Sequence, residues 1–444
     1  MKKTNMRLRL ATGAALISVA VSGMAEGYQV NTLSTRQLGM GHTGTALKLG
    51  AESQFFNPAG MAFMTGNVEA DASFNAIMPS ATATVDGKKY KTDCNASTPF
   101  SVFGAFRITD DLKAGISIYT PYGSSINWTD NWPGATLNQS VKLQAFTVQP
   151  TVAYRILPNL SLGAGLTLSW GSVDLHKGLL SGAELNQMLS IVAPGVQVPS
   201  EITPASAQLT GNAGIACGVN LGAMYDISRN VTVGVNFRSK SMMKVKSGKA
   251  KVEYAVGNPA IEGILASQLD GITKTEFVAE MPLPAVLGIG GAWHNDRWTV
   301  DVDAQLTFWN VYKSLDIEFK GAEDLNQHLP KNYHNSCLVR GGAEWNVTRR
   351  FDLRAGLMVD FSPCDKEFYN PETPGMTKIE PTLGCTFNPT DRLGVNVGFM
   401  YVAGVGIDGA SYTTENIVTK QPTTFTADYR LHSFTASLGL SLRF

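Results

Sequence analysis

Apolar and polar residues alternate with a period of two in segment after segment of this chain, the spacing of a β-strand whose successive side chains point to opposite faces. In the last segment Phe434, Ala436, Leu438, Leu440, Leu442 and Phe444 fall on one face, and Ser433, Thr435, Ser437, Gly439, Ser441 and Arg443 on the other. The same arithmetic sets Trp298, Val300, Val302, Ala304, Leu306 and Phe308 against Thr299, Asp301, Asp303, Gln305 and Thr307. It also sets Leu160, Leu162, Ala164, Leu166, Leu168 and Trp170 against a strip of Ser, Gly and Thr. Aromatic residues end such strips, with Trp298 and Phe351 at one boundary and Trp170, Phe308, Phe361 and Tyr401 at the other. Those are the places of the two interfacial girdles of a membrane barrel.

A soluble sandwich alternates as well, and the connections separate the two. Short polar turns recur at residues 109–111, 157–159, 228–230, 294–297, 348–350 and 389–391. Between them lie long connections, at residues 79–98, 121–142, 174–204, 240–280, 310–335, 362–376 and 404–429. Short turns on one side and long loops on the other is the arrangement of an outer-membrane barrel, the short side being periplasmic. The spacing predicts fourteen antiparallel strands within residues 67–444, the first near Val68 and the last ending at Phe444. An even number closes the sheet on itself. Residues 26–66 are rich in Gly and lack sustained alternation, and they are long enough to lie in the lumen as a plug. The expected fold is therefore all-β, a fourteen-stranded antiparallel transmembrane β-barrel with an N-terminal hatch.

The first 25 residues read as a secretory signal. They have a basic start (Lys2, Lys3, Arg7, Arg9), an apolar stretch from Leu10 to Val21 and the small-x-small end Gly23-Met24-Ala25, which puts the mature start at Glu26. No later run of about 18 apolar residues occurs, which excludes a helical membrane protein. With 36 basic against 36 acidic residues the chain lacks the basic excess that nucleic-acid backbones require. Cys94, Cys217, Cys337, Cys364 and Cys385 have no CxxC spacing, and the six histidines no HExxH or close ligand spacing, so neither a metal nor a cofactor is expected. A Cys94–Cys364 bridge is conceivable in an oxidising compartment, with isolated thiols the expectation. No catalytic residue is assigned: Asp301 and Asp303 both face the lumen, where pairing with Arg238, Arg340 or Arg354 is the ordinary role of such carboxylates. A lipid hydrolase would need a Ser-His pair at the wall, and none is found in the sequence.

The stretch Leu38-Gly39-Met40-Gly41-His42-Thr43-Gly44-Thr45-Ala46, followed by Phe55-Phe56-Asn57-Pro58-Ala59-Gly60-Met61-Ala62, resembles the N-terminal hatch of the FadL/TodX family of outer-membrane hydrophobic-compound transporters. Further matches follow in order at Thr120-Pro121-Tyr122-Gly123, Trp128, Trp132-Pro133-Gly134, residues 149–155, Phe237-Arg238-Ser239 and Asp360-Phe361-Ser362-Pro363. The resemblance implies a plugged fourteen-stranded barrel that takes up long-chain fatty acids or similar apolar molecules passively. Release is sideways, through a gap beside an inward kink in the third strand. The residues add their own support for the kink: alternation over Leu112, Ala114, Ile116 and Ile118 is interrupted by Pro121 and Gly123, which remove a ladder donor and mark bends, or which simply open the long loop. Asn57-Pro58 sets a turn in which the Asn amide can bond backbone groups that have no ladder, and Ala59 and Gly60 complete the hatch motif. Phe55 and Phe56 present an apolar surface for substrate or for anchoring to the wall.

Two long loops carry helical patterns. Ser181 with Glu184 makes a capping box ahead of Leu185, Met188, Leu189 and Val192, and Asn258-Pro259 starts a helix presenting Ile261, Ile264, Leu265 and Leu269. The family's corresponding loops hold a low-affinity site for apolar ligands, a role the resemblance carries to these faces. The terminal Phe is similar to the signature read by the barrel-assembly machinery. The expected partners are thus a hydrophobic small-molecule ligand, that machinery, and the lipid and lipopolysaccharide around a monomer in the Gram-negative outer membrane. A general porin or a structural outer-membrane barrel is the alternative.

Overall fold

The computed structural model describes residues 27–93, 96–130, 132–373, 375–418 and 420–444. The signal segment 1–25, the mature start at Glu26, and Cys94 with its possible bridge lie outside the described residues.

One antiparallel sheet closes on itself as a fourteen-stranded barrel. Its strands are Val68–Val85, Phe100–Arg107, Leu112–Asn127, Ser140–Leu157, Leu160–Leu180 and Ala205–Asp226, then a seventh in two pieces, Val231–Arg238 and Ser241–Tyr254. The eighth is likewise divided into Glu276–Leu283 and Val286–His294, and the rest are Trp298–Thr307, Ser336–Thr348, Phe351–Asp360, Lys378–Thr390, Leu393–Gly404 and Pro422–Arg443. Closure is made by the first strand on the last, in register from Glu69↔Arg443 to Thr84↔Asp428. Short hairpin arms (Lys88–Lys91, Ser314–Phe319, Gln327–Pro330 and Ile407–Glu415) extend the wall on the loop side. Among the described residues no helix is long and apolar enough to cross a membrane.

The alternation turns apolar side chains out and polar ones in. Leu438 keeps 57% of its surface and Leu383 63%, whereas Thr435, Asp301 and Asp303 have none. In water that outer face would be an aggregation surface, and in lipid it is the one face that needs no hydrogen-bonding partner. Trp298 stacks on Trp345 at one rim (5.6 Å between centroids), and Phe146 lies against Trp170 at the other (6.2 Å).

The long connections are shorter than their spacing predicts. Much of 79–98, 174–204 and 240–280 is wall: the first strand continues to Val85, the fifth to Leu180, and the seventh and eighth fill 241–254 and 276–283, leaving the helix Pro259–Lys274 between them. These extensions still alternate, with the phase reversed. Lys244, Lys246, Lys249 and Lys251 point out while Met243 and Val245 point in. Beyond the bilayer the outer face meets water, so charge belongs there, and the apolar side chains turn inward.

Candidate ligand pathway

Inside the periplasmic half of the barrel lies the segment 33–63, folded as short helical turns, while Tyr28 and Gln29 before it stand at the level of Tyr122 and Trp309. Ser34 caps the turn Thr35–Leu38, accepting the Gln37 amide at 3.1 Å. Gly41 and His42 follow in the left-handed region at φ 67° and 53°, and His42 Nε2 accepts the Leu33 amide at 3.1 Å. Asn57, fully buried, caps the 3₁₀ turn Pro58–Phe63 by accepting the Ala59 amide (3.1 Å). Its Nδ2 donates to the Thr45 carbonyl (2.7 Å) and to the Ala223 carbonyl of the sixth strand (3.1 Å). One amide thus ties two parts of the segment to the wall. Pro58, Ala59 and Gly60 lie in the turn it starts, against the fifth and sixth strands at Gly163 and Gly222.

Charge fixes the other side. Asp303 accepts the Gly44 and Thr45 amides at 2.9 and 3.1 Å and pairs with Arg340 at 3.2 Å, all of them buried. Arg36 meets Glu344 at 3.1 Å, and Glu344 is held from behind by Arg354 at 2.6 Å. The lumenal carboxylate Asp303 and the basic residues Arg340 and Arg354 therefore hold the plug in place.

Phe55 and Phe56 are buried edge-to-face (5.2 Å). Phe55 also meets the Tyr119 ring of the third strand at 5.2 Å and lies 4.2 Å from the Arg238 guanidinium. These phenylalanines sit beneath the level at which the third strand changes course. Its pairing with the second strand ends at Ser101↔Tyr119, and its pairing with the fourth shifts register between Tyr119 and Tyr122. Thr120 and Pro121 occupy the irregularity. Past it the free edge is met by the chain's N-terminal residues: Val30 donates to the Pro121 carbonyl and Gly123 to the Tyr28 carbonyl, both at 2.9 Å.

A cavity of about 880 Å³ occupies this break. Its lining runs from Phe74, Ile77, Phe100 and Phe146 of the wall, past Tyr122 and Gly123, to lumenal side chains of the adjoining thirteenth and fourteenth strands, Met400, Val402 and Leu431. A second, narrower cavity of about 70 Å³ lies beside it, with Tyr28, Leu143, Val173, Met243, Phe277, Met281 and Tyr312 among its walls. The inward face of the fourth strand shows why the upper lumen is apolar: Val141, Leu143 and Ala145 point in above, Thr147, Gln149 and Thr151 below.

The capping box at Ser181 and Glu184 forms, and the helix Gly182–Val192 buries Leu185 and Leu189, with Met188 half-buried. Asn258 caps Pro259–Lys274, accepting the Ala260 amide at 3.0 Å. Ile261 and Leu265 are buried in the apolar cluster that also holds Tyr28, Leu143 and Tyr312, whereas Ile264 points outward with 40% of its surface exposed. Tyr28, Trp309 and Tyr312, which pack edge-to-face over the cavities, escape a reading of motifs. The signal that could have found the chamber is the reversal of phase in the upper strands.

An apolar belt outside, a plugged polar lumen and an apolar chamber above it define a plugged outer-membrane β-barrel of the transport type. A profile of the outer membrane protein transport protein family (OMPP1/FadL/TodX) matches residues 16–444, and the chain belongs to that family. Its members are transporters and channels of the outer membrane, not enzymes. The chain is 24% identical to outer membrane protein P1 of Haemophilus influenzae over 100% of both chains. It is 22% identical to the long-chain fatty acid transport protein of Escherichia coli K12, over 92% of this chain and 94% of that one. The same fold is seen in a FadL homologue of Pseudomonas aeruginosa (TM-score 0.80, 19% identity, 94% of this chain and 100% of that one). It recurs in the Pseudomonas putida toluene transporter TodX (TM-score 0.68, 16% identity, 95% and 99%).

Proposed function

We propose that the protein carries hydrophobic small molecules, long-chain fatty acids or molecules like them, passively across the outer layer of the cell envelope. Ligand is captured at the extracellular loops by the apolar faces of the two loop helices (Leu185, Met188, Leu189, Ile261, Ile264 and Leu265). It is held in the upper lumen above the hatch, near Phe55 and Phe56, and is released sideways at Pro121 and Gly123. The observation that carries this reading is the wide cavity at the third-strand break, which joins lumenal apolar side chains to lipid-facing ones. Burial of an alkyl chain is favourable by roughly 0.8 kcal/mol per methylene, so such a lining supplies affinity and diffusion supplies the movement. A lateral route also spares the ligand a passage through the plugged periplasmic half. In this reading residues 1–25 are removed on export, residues 26–66 act as the hatch and residues 67–444 as the barrel. The barrel works as a monomer among outer-membrane lipid and lipopolysaccharide, placed there by the assembly machinery.

The test is binding of the pure protein to long-chain fatty acids and aromatic hydrocarbons, with uptake by cells carrying or lacking it. Saturable binding with matching uptake names the ligand class. A folded barrel that binds and moves none of them removes the reading.

A further inference from the structure

The wall has a second break. Between the sixth and seventh strands the pairing runs from Ala205↔Tyr254 to Ala213↔Val245, stops, and resumes at Asn220↔Arg238. Both flanks share one register, since 213 and 245 sum to the same number as 220 and 238; against the fifth strand the sixth carries one extra residue here, between Ser169↔Ala216 and Gly171↔Ala213, and the seventh is interrupted at 239–240. The strands have parted. Among the described residues no ladder pair joins residues 214–218 to 240–244; two hydrogen bonds close the lower end, the Ser239 amide to the Val219 carbonyl and the Val219 amide to the Ser239 hydroxyl, each at 2.9 Å. Each strand keeps its other neighbour: the sixth is paired with the fifth through Leu168↔Cys217 and Ser169↔Ala216, the seventh with the eighth through Met281↔Met243.

At the parted stretch Ile215 has 71% of its surface exposed, and a side chain added at Gly214 would meet nothing within 4 Å. On the lumenal side Met243 is buried and, with Ala213 and Val245, walls the narrow apolar cavity. The seam is at the level of the third-strand break. Register carries the break across the fourth strand at Phe146 to Trp170 of the fifth, and from there to the sixth between Ala213 and Ala216. Backbone at membrane depth that faces no ladder partner is tolerated where it lines a cavity and not where it faces sealed lipid.

We propose that this seam is a second lateral port, serving the narrow cavity and passing small uncharged apolar molecules between it and the outer leaflet, with Met243 as the side chain that closes it. The proposal rests on the transport reading above, and adds a route to it. Two doors let a small rigid ligand leave by the narrow one while a long-chain ligand takes the wide break at Pro121.

Cys217, an exposed free thiol, and Met242 are both exposed on the outer face of the seam, so Met242→Cys in a chain whose other four cysteines are Ser allows a reversible staple across it. Toluene and oleate entry are measured in proteoliposomes for the parent, the oxidised staple and the same protein after reduction. Stapling is expected to slow toluene entry at least threefold, to be reversed by reductant and to leave oleate entry unchanged. Equal toluene entry with the staple closed overturns the port while leaving the transport reading intact. A parent that moves neither ligand overturns both. Where oxidation does not join the thiols, hydrogen exchange decides: seam-facing amides of 214–218 that exchange as slowly as paired amides of the same strand overturn the port, and fast exchange supports it.

Discussion

Replacing Asn57 by Ala should undock the hatch without unfolding the barrel. The side chain makes three buried hydrogen bonds, to the Thr45 carbonyl, the Ala223 carbonyl and the Ala59 amide. A hydrogen bond of this kind contributes about 1 kcal/mol net, but a buried group left without its partner costs its full desolvation penalty instead, about 2 kcal/mol each. With the Ala59 amide and the Thr45 carbonyl stranded, the loss comes to about 4 kcal/mol, roughly a thousandfold in the ratio of docked to undocked hatch. None of it falls on the ladder that closes the wall, because Asn57 lies off every strand. Hydrogen exchange of the pure protein in detergent is the assay. Amides of residues 35–63 should exchange hundreds of times faster in Asn57→Ala, while strand amides and the heat-dependent gel mobility of the folded barrel stay as in the parent. Asn57→Asp keeps the acceptor for Ala59 and loses both donors, so it should fall between the two. Hatch amides exchanging at the parent rate in Asn57→Ala would refute the reasoning.

Four further outcomes are expected. Gly234→Val should prevent the hatch from seating, because any side chain there overlaps the Thr45 carbonyl, whereas Gly104→Ala, whose nearest neighbour is 3.8 Å away, should change stability by less than about 0.5 kcal/mol; protease sensitivity of the hatch compares them. Arg340→Leu strands the buried Asp303 carboxylate and should cost about 3–5 kcal/mol, part of it recovered in the Asp303→Asn, Arg340→Leu pair, as read by thermal melting. Leu265→Ala should loosen the second loop helix by about 2–5 kcal/mol, while Ile264→Ser should leave it intact, a contrast that loop proteolysis shows. Burial pushes the Cys364 thiol up to about 12, so maleimide at pH 8 should label Cys217 and spare Cys364 until the protein is denatured.

The parts of this protein that were legible from residues alone are those set by one-dimensional rules. Period-two alternation placed the strands, and the two kinds of connection told the periplasmic side from the outer one. Local capping chemistry at Ser181, Asn57 and Asn258 marked turns and helix starts that the fold contains, because a cap is decided within four residues. The upper walls were read as loops because their alternation has the opposite phase: Lys244 and Lys246 out, Met243 and Val245 in. A pattern judged by its fit to lipid misses a strand standing in water around an apolar chamber.

Tertiary structure alone decided what meets what. Gly163, Gly222, Gly234, Gly342 and Gly356 are scattered over nearly two hundred residues, yet each faces the hatch at a spot where a side chain would collide with it. In sequence they are small residues on polar strips, with no local mark of what stands opposite each. Asp303 likewise reads as one of two lumenal carboxylates, and only closure of the barrel brings it to the Gly44 and Thr45 amides. The sixth strand breaks its alternation at Gly214 and Ile215 and the seventh is interrupted at 239–240, but neither mark tells that the two breaks face each other. Alternation records which face a residue takes, and it carries no information on which strand, plug or cavity stands opposite, because that depends on how the sheet curves and closes.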